Sequence, residues 1–337
     1  MNYRQLGQSD FFVSPICMGC WAIAGDRLWG AQDEADALAA LHAAVDLGVN
    51  FFDSAEGYGA GRSEELIGKA FKGALRDRVI IATKVSQRNL RPADVRAACE
   101  NSLRNLGMET IDVYYLHWPN WDVPLADTLG EMARLKAEGK IRAVGCSNFG
   151  RRDLADILSV NAPSHEAIPV DQLAYNLLFR AIEYAVLPLC IERGVGVACY
   201  SPLLHGILTG KFATLADVPD ERARTRHFSS VRSLARHGGP GAEAETRAAL
   251  AAIRSICDEA GLSMAQTSLA WLLHQPGVAT VIAGARNPAQ IQSHVAAAEL
   301  ALPDDVLDAL TQATGPLKTV LGANPDMWEG DATSRMR

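Results

Sequence analysis

The chain has 337 residues, of which 48% are hydrophobic, 21% charged and 7% aromatic. This balance excludes a disordered, collagen-like or coiled-coil chain and is typical of a soluble globular protein. Lys and Arg together number 32 against 39 Asp and Glu, which gives a formal net charge of −7. Because there is no overall basic field, we expect neither nucleic acid nor an anionic membrane surface as a partner.

Targeting signals and cysteines indicate the compartment. Residues 1–10 have neither the apolar core of a signal peptide nor the Arg- and Ser-rich bias of a transit peptide, which predicts a cytoplasmic protein. The seven cysteines are an odd number in apolar surroundings and indicate free thiols. Cys17 and Cys20 have metal or redox spacing, but no second pair accompanies them, so we predict no metal site. The stretch 260–285 is interrupted by polar residues and indicates a core helix and strand, not a membrane span.

Strand and helix patterns alternate along the whole chain. Segments 3–6 and 11–13 flank a Gly-Gln-Ser-Asp turn and predict an opening β-hairpin. Eight units follow, in each of which a short β-forming run precedes a longer segment, usually one with helical spacing. The predicted pairs are strand 16–18 with helix 33–47, 51–52 with 63–71, 79–81 with 92–106, 111–115 with 125–138, 141–145 with 151–158, 170–173 with 183–193, 195–198 with a long connection, and 278–282 with a helix from Pro288.

This alternation predicts an α/β protein with a parallel sheet. An open doubly wound sheet and a closed (β/α)₈ TIM barrel both fit, and the count of eight favours the barrel, with the hairpin at its bottom. The interval from Tyr200 to Gly284 is much longer than its neighbours, which indicates an insertion after strand 7 with a loop at about 219–241. No linker or repeat suggests a second domain, so we predict one domain over 1–337 with a tail at about 316–337.

Polar side chains follow the predicted strands. Asp53, Lys84 and His117 end three consecutive strands, and Tyr58 lies in a Gly-rich loop shortly after Asp53. Barrel enzymes carry their chemistry at these carboxyl ends, so the four side chains should share a pocket. We expect Lys84 to lower the pKa of Tyr58, because an ammonium favours the phenolate, and Asp53 to neutralise Lys84. With neither a nucleophile nor a metal set, the group suits proton or hydride transfer on a carbonyl, with His117 orienting the oxygen.

The segment 57–62 superficially resembles a dinucleotide fingerprint of the Rossmann type. Arg62 occupies the third glycine position, where close packing leaves no room for a side chain. We therefore reject that interpretation and expect Ser63 to cap a helix instead.

The sequence resembles the aldo-keto reductase superfamily in several blocks that occur in the family's order. These are GVNFFDSAEGYG at 48–59, IATK at 81–84, YLHWP at 115–119, GCSNF at 145–149, QLAYNL at 172–177, YSPL at 200–203 and GAR at 284–286. The resemblance implies a (β/α)₈ barrel, a nicotinamide cofactor, and a catalytic tetrad in which Tyr58 protonates the carbonyl that receives hydride. The tetrad is Asp53, Tyr58, Lys84 and His117.

The resemblance also implies the contacts of the cofactor. Three polar residues would hold the nicotinamide carboxamide, namely Ser147, Asn148 and Gln172, while Tyr200 would stack on the ring. The pyrophosphate would lie along Ser201, Leu203, Gly206 and Lys211, and the adenosine end would meet Gly284, Arg286 and Gln290. Arg286 would pair with a 2′-phosphate, so NADP(H) is preferred and NAD(H) is possible. Gln290 and His294 replace the Arg and Asn of some branches, which lowers the positive charge there.

Several interpretations stay open at this point. Trp21, Trp29, Trp118 and Trp121 could wall a substrate pocket or pack under loops. The insertion carries a basic cluster that is either a solvated loop or a lid over the cofactor phosphates: Arg222, Arg224, Arg226, Arg232, Arg236, His227 and His237. The tail around Trp328 either crosses the barrel mouth or forms a subunit contact.

The favoured function is an NADP-dependent oxidoreductase that interconverts carbonyl and alcohol groups of small aldehydes, ketones or sugars. The alternative is a nicotinamide-binding, redox-sensing regulatory subunit that resembles the potassium-channel β subunits of the same superfamily.

Overall fold

The computed structural model describes residues 1–25, 28–161 and 168–337, and within them the strands form a hairpin and a barrel. The hairpin consists of β1 (Arg4–Gln5) and β2 (Phe12–Val13). The barrel strands are β3 (Ile16–Gly19), β4 (Phe51–Asp53), β5 (Ile80–Val85), β6 (Ile111–Leu116), β7 (Ile141–Ser147), β8 (Val170–Ala174), β9 (Gly196–Tyr200) and β10 (Val278–Gly284). They are parallel and close in the order β10-β3-β4-β5-β6-β7-β8-β9.

Helices surround the barrel and connect its strands. They are α1 (Glu34–Asp46), α2 (Arg62–Ala70), α3 (Pro92–Leu106), α4 (Leu125–Ala137), α5 (Arg151–Asn161), α6 (Val186–Arg193), α7 (Glu243–Glu259), α8 (Met264–Leu273), α9 (Pro288–Ala297), α10 (Asp304–Ala313) and α11 (Gly315–Leu321). The prediction of a (β/α)₈ barrel is confirmed. Within the described ranges, we find no helix with the length and hydropathy that a membrane crossing requires.

The hairpin closes the amino-terminal end of the barrel, as predicted. Leu6, Phe11 and Val13 are buried in one cluster with the inward side chains of the barrel strands. Gly7 adopts φ +54°, and a Cβ there would lie 2.0 Å from the carbonyl oxygen of Pro169. The turn therefore needs glycine for both its conformation and its close approach to the barrel.

The insertion and the tail contain less regular secondary structure than the barrel. Residues 201–277 separate β9 from β10, which confirms the predicted insertion after the seventh barrel strand. Residues 219–241 within it form turns without helix or strand. The tail is shorter than predicted, because residues up to Leu321 belong to α11, so the irregular segment begins at Gly322. Throughout, "the tail" means 322–337.

The predicted capping role of Ser63 at the start of α2 is wrong. The helix begins at Arg62, directly after Gly61, so Ser63 is not its N-cap. The Ser63 hydroxyl is buried and instead donates to the Cys20 carbonyl at 2.7 Å and accepts from the Ser54 hydroxyl at 2.9 Å. It ties together the loops that follow β3 and β4.

Candidate active site

The alternation of side chains along the strands determines which residues enter the barrel. Phe51, Ala82 and Val170 pack in the barrel interior above the hairpin. Side chains two positions further along a strand point the same way. Asp53, Lys84 and Gln172 are those side chains, and all three are buried. The carboxyl end of the barrel is therefore lined with polar groups because the apolar layer below it ends there.

The Lys84 ammonium is the centre of a compact polar group. Its Nζ lies 2.5 Å from Asp53 Oδ1 and donates to the Ser54 carbonyl at 2.6 Å. The Tyr58 hydroxyl lies 3.5 Å from the same nitrogen. The other oxygen of Asp53, Oδ2, accepts from Gln172 Nε2 at 2.8 Å. The two buried charges thus compensate each other, and Tyr58 presents its hydroxyl next to a fixed cation.

The protonation states follow from burial and charge together. Burial lowers the pKa of Lys84, but Asp53 and Tyr58 oppose it, and the net pKa lies above the ordinary value. Burial raises the pKa of Tyr58, and Lys84 opposes this shift without reversing it. The expected lowering of the Tyr58 pKa is therefore wrong, because desolvation of the phenolate outweighs the ammonium. Tyr58 is protonated at neutral pH and can donate.

His117 faces Tyr58 and is uncharged. Its ring centroid lies 6.2 Å from that of Tyr58 in an edge-on arrangement. Burial, followed by the charges of Lys84 and Arg335, lowers the pKa of His117 to about 3. A neutral imidazole can donate a hydrogen bond to a substrate oxygen without adding a charge. On the other side, Trp21 stacks on Tyr58 with centroids 5.5 Å apart.

A cavity of about 780 Å³ opens above this group. It brings together nearly all the residues that the sequence assigns to the site: Trp21, Trp29, Asp53, Tyr58, His117, Trp118, Ser147, Asn148, Gln172, Tyr200, Ser201, Leu203, Gly206, Lys211, Gly284, Arg286 and Gln290. Lys84 lies beneath the lining, behind Asp53 and Tyr58. Trp121 lies elsewhere, on a smaller cavity, because its indole donates to Asp153 of α5 at 2.9 Å. It therefore does not wall the site.

Amides and hydroxyls form one wall of the cavity. Asn148 has φ +61° and donates to the Ser147 hydroxyl at 3.0 Å. Its oxygen accepts from the Tyr200 hydroxyl at 2.7 Å. Ser147 donates in turn to the Gln172 carbonyl at 3.0 Å. This wall offers donors and acceptors to a planar amide, and Tyr200 lies beside it.

The loop after β9 has an unusual backbone. Ser201, Leu204 and His205 have φ between +42° and +53°, a region that residues other than glycine rarely adopt. Gly206 follows at φ +93°, and a Cβ there would lie 2.7 Å from Lys211 Nζ. Such backbone strain concentrates at functional sites, where turned amides can bind an anion.

Cationic side chains dominate the cavity lining. They are Arg88, Lys211, Arg222, Arg224, Arg236, Arg286 and Arg335. Among the residues that the structure describes, Asp53 is the only carboxylate in this lining, and it is paired with Lys84. An acidic protein therefore presents a positive cavity, which suits a ligand with phosphate groups.

Arg286, the predicted partner of a 2′-phosphate, already contacts a neighbouring loop of the protein. Its guanidinium donates to Gln32 Oε1 at 2.6 Å, to the Trp29 carbonyl at 2.8 Å and to the Ala31 carbonyl. Each of the three guanidinium nitrogens thus donates one hydrogen bond to the 29–32 loop at the edge of the cavity. Contact of this guanidinium with a 2′-phosphate stays a prediction.

The basic cluster of the insertion divides into two parts. Arg222, Arg224 and Arg236 line the cavity, in keeping with the lid interpretation. Arg226 instead donates to the carbonyls of residues 321, 324 and 326 at 2.6–2.9 Å and so fastens the tail. Arg232 binds Asp220 and nearby carbonyls. His227 and His237 are buried in the insertion.

The tail supplies residues that sequence reasoning did not assign to the site. It crosses the barrel mouth, and Trp328 lies parallel to Tyr200 with centroids 5.9 Å apart. Trp328 also meets Trp118 edge-on at 6.0 Å, and Arg335 lines the cavity beside them. An aromatic residue in a polar tail is the only sequence signal that could have found this wall. Arg88 and His205 also line the cavity without having been predicted.

The chain is similar in sequence to known proteins. The model of the aldo/keto reductase family matches residues 15–314. An Escherichia coli (strain K12) protein named NADH-specific methylglyoxal reductase is 30% identical over 90% of this chain and 95% of its own length. A probable voltage-gated potassium channel subunit beta of Arabidopsis thaliana is 31% identical over 93% of this chain and 96% of its own.

A solved structure is similar in the same way. The aldo-keto reductase of Klebsiella pneumoniae in complex with NADPH superposes with a TM-score of 0.72 at 30% identity, covering 93% of this chain and 95% of that one. Together with the barrel and the match over most of the chain, these likenesses establish that the protein belongs to the aldo/keto reductase family.

Proposed function

We propose that the protein is an NAD(P)H-dependent oxidoreductase that interconverts carbonyl and alcohol groups of small aldehydes, ketones or sugars. The observation that carries the proposal is the buried Asp53–Lys84 pair beside a protonated Tyr58, at the base of an open cavity. The group can deliver a proton to an oxygen that gains negative charge, and it includes no nucleophile.

A nicotinamide dinucleotide fits the residues of the cavity. The amide wall of Ser147, Asn148 and Gln172 suits a carboxamide, and the loop at 201–206 with Lys211 suits a pyrophosphate. When bound, the dinucleotide supplies hydride to the carbonyl carbon. We assign NADP(H) as the preferred form because Arg222, Arg224 and Arg236 add positive charge around the phosphates. NAD(H) stays possible, since one relative is named NADH-specific and another was crystallised with NADPH.

The protein's own part in reduction is to position and move a proton. The Tyr58 hydroxyl donates its proton to the carbonyl oxygen as the alcohol forms. The Lys84 ammonium, 3.5 Å away, stabilises the phenolate that remains, and Asp53 holds Lys84 in place. Neutral His117 donates a hydrogen bond to the same oxygen and orients it. In the oxidative direction the phenolate accepts the proton instead.

An activity screen tests this proposal. The protein is assayed with aldehydes, ketones and sugars, each with NADPH and with NADH, by loss of absorbance at the reduced nicotinamide band. We expect turnover of at least one carbonyl class and a lower KM for NADPH than for NADH. Tight binding of either nucleotide without turnover of any carbonyl would contradict the proposal.

The regulatory alternative has one observation in its favour, the likeness to the probable channel subunit. Stopped-flow oxidation of bound NADPH, with and without the carbonyls of the screen, separates the two functions. An enzyme accelerates oxidation many-fold with its substrate, whereas a redox sensor oxidises slowly with every compound.

A further inference from the structure

Arg335 extends from the tail to the catalytic end of the cavity. Its guanidinium carbon lies 3.7 Å from the centre of the Trp118 ring and 5.7 Å from that of Trp328. Trp118 directly follows His117 in the chain, and the charge of Arg335 contributes to the low pKa of that histidine. The guanidinium therefore lies close to His117, which faces the position of a substrate oxygen.

Two of the three guanidinium nitrogens of Arg335 bind a carboxylate of the protein. Arg335 Nε and Nη2 donate to the two oxygens of Asp326, each at 2.8 Å, and Asp326 is fully buried. Among the described residues, none accepts a hydrogen bond from Nη1, and a quarter of the side chain is exposed. An arginine held by a buried carboxylate and packed on an indole is preorganised, so its remaining N–H groups can bind without loss of side-chain freedom.

Charge at this end of the cavity exceeds what the cofactor explains. Lys211, Arg222 and Arg224 lie near Gly206 and His205 of the strained loop and suit the phosphates, whereas Arg335 lies on Trp118 and Trp328. Asp326 pairs with Arg335 from behind the lining, but among the described residues Asp53 is the only carboxylate on the cavity surface itself. A substrate with an anionic group would therefore meet the Nη1 edge of the Arg335 guanidinium at the cavity surface, while the Asp326 carboxylate is buried behind it.

We propose that Arg335 binds a carboxylate carried by the carbonyl substrate while Tyr58 and His117 receive its carbonyl oxygen. The substrates are then aldehydes and ketones that also bear a carboxylate, held between the indoles of Trp21, Trp118 and Trp328. This inference rests on the proposed function, since it assigns the substrate class of the same site.

A matched pair of aldehydes tests the inference. 4-Carboxybenzaldehyde and 4-methylbenzaldehyde have similar size and differ in charge. A hydrogen bond to a charged group contributes about 1.5–3 kcal/mol, so the wild type should prefer the carboxylate by about tenfold or more in kcat/KM, chiefly through KM. Arg335→Gln should lower kcat/KM of the carboxylate about tenfold more than it lowers that of the methyl compound.

Control variants separate binding from structure. Arg335→Lys keeps a charge and should retain part of the preference. Arg247→Gln changes the net charge equally on the exposed face of α7 and should leave both substrates unaffected. Binding of the product analogue 4-(hydroxymethyl)benzoate, followed by tryptophan fluorescence, should weaken about tenfold in Arg335→Gln and provides a readout without turnover.

The outcomes distinguish the role of Arg335 from the oxidoreductase function on which it rests. Equal loss for both aldehydes in Arg335→Gln, or a wild type without charge preference, would overturn the role of Arg335 and leave the oxidoreductase standing. Failure of the wild type to reduce any carbonyl of the wider screen would overturn both.

Discussion

The base and the cover of the cavity are built in different ways. The base consists of Asp53, Tyr58, Lys84 and His117, which lie at or just after the ends of barrel strands, and its two charges are buried and paired. The cover consists of the insertion segment 201–241 and the tail, in which helix and strand are scarce and arginines face the cavity. The base holds a proton donor in a fixed place, and the cover presents charge to ligands. Substitutions and pH measurements test this difference between the base and the cover.

The largest effect is expected from the base. Lys84→Met leaves the buried Asp53 carboxylate without its partner, and breaking such a pair costs about 3–5 kcal/mol of folding free energy. Loss of the cation beside Tyr58 should also lower kcat by about 10²–10⁴. Denaturant unfolding and steady-state kinetics measure the two losses.

A double variant separates stability from catalysis. Asp53→Asn with Lys84→Met removes both charges and should regain most of the folding free energy but none of the activity. A single variant as stable as the wild type would contradict the claim that the pair compensates charge in the core.

A smaller effect is expected from the edge of the cover. Trp29 contacts Trp21 edge-on at 5.7 Å, and the Arg222 guanidinium lies 5.4 Å from its ring centre. Trp29→Ala should therefore weaken NADPH binding about fivefold, because a partly exposed cation–π contact contributes about 1 kcal/mol and positions Arg222. The Kd comes from titration of nucleotide fluorescence.

Trp121→Ala is the matched control for this variant. It removes the same side chain outside the cavity and should change the Kd less than twofold, as a rough bound on surface substitutions. If the two variants weaken NADPH binding equally, the assignment of Trp29 to the cavity edge is wrong.

The smallest expected effect is a lack of pH response. His117 titrates at about 3, and burial keeps the pKa of Tyr58 above its usual value. Both groups thus hold one protonation state across neutral pH, and kcat/KM for an uncharged aldehyde should be flat between about pH 5.5 and 8. An inflection near the ordinary histidine pKa would show that His117 is charged in the free enzyme.

Stability should respond to pH where activity does not. The pKa values of His117, His205 and His227 are lowered to about 3, 4 and 4, mainly by burial. Below their unfolded pKa of about 6.5, the unfolded chain binds more protons than the folded one. These histidines therefore lower the free energy of unfolding as pH falls from about 6.5 towards 4. The loss levels off at lower pH, where the folded state binds the same protons.

The same contrast explains which parts of the molecule were predictable. Strand periodicity determines that Asp53 and Lys84 follow buried apolar residues on one face, so local sequence was enough to place them together. Trp328 and Arg335 reach the cavity because Arg226 fastens the tail by contacts over 95–100 residues of sequence, and Asp326 then holds Arg335. No local pattern encodes such contacts, and the outward turn of Trp121 escapes prediction for the same reason.

The sequence was enough to predict which charged groups pair, but not the net direction in which their surroundings shift a pKa. The pairing of Lys84 with Asp53 follows from the cost of a lone buried ammonium. The net direction of the Tyr58 pKa depends on how completely the fold removes water from the phenol, which the sequence does not reveal. Likewise, Arg286 is cationic at the expected place, but its guanidinium is engaged by the 29–32 loop.

The most direct test of the proton-donor role is a single-turnover measurement on Tyr58→Phe. The variant is loaded with NADPH, mixed with a carbonyl substrate of the wild type, and followed by stopped-flow absorbance. We predict that NADPH binds with wild-type affinity while its oxidation slows by about 10²–10⁴, because the positioned acid is lost and the pocket is otherwise unchanged. Oxidation of NADPH at close to the wild-type rate would contradict the account.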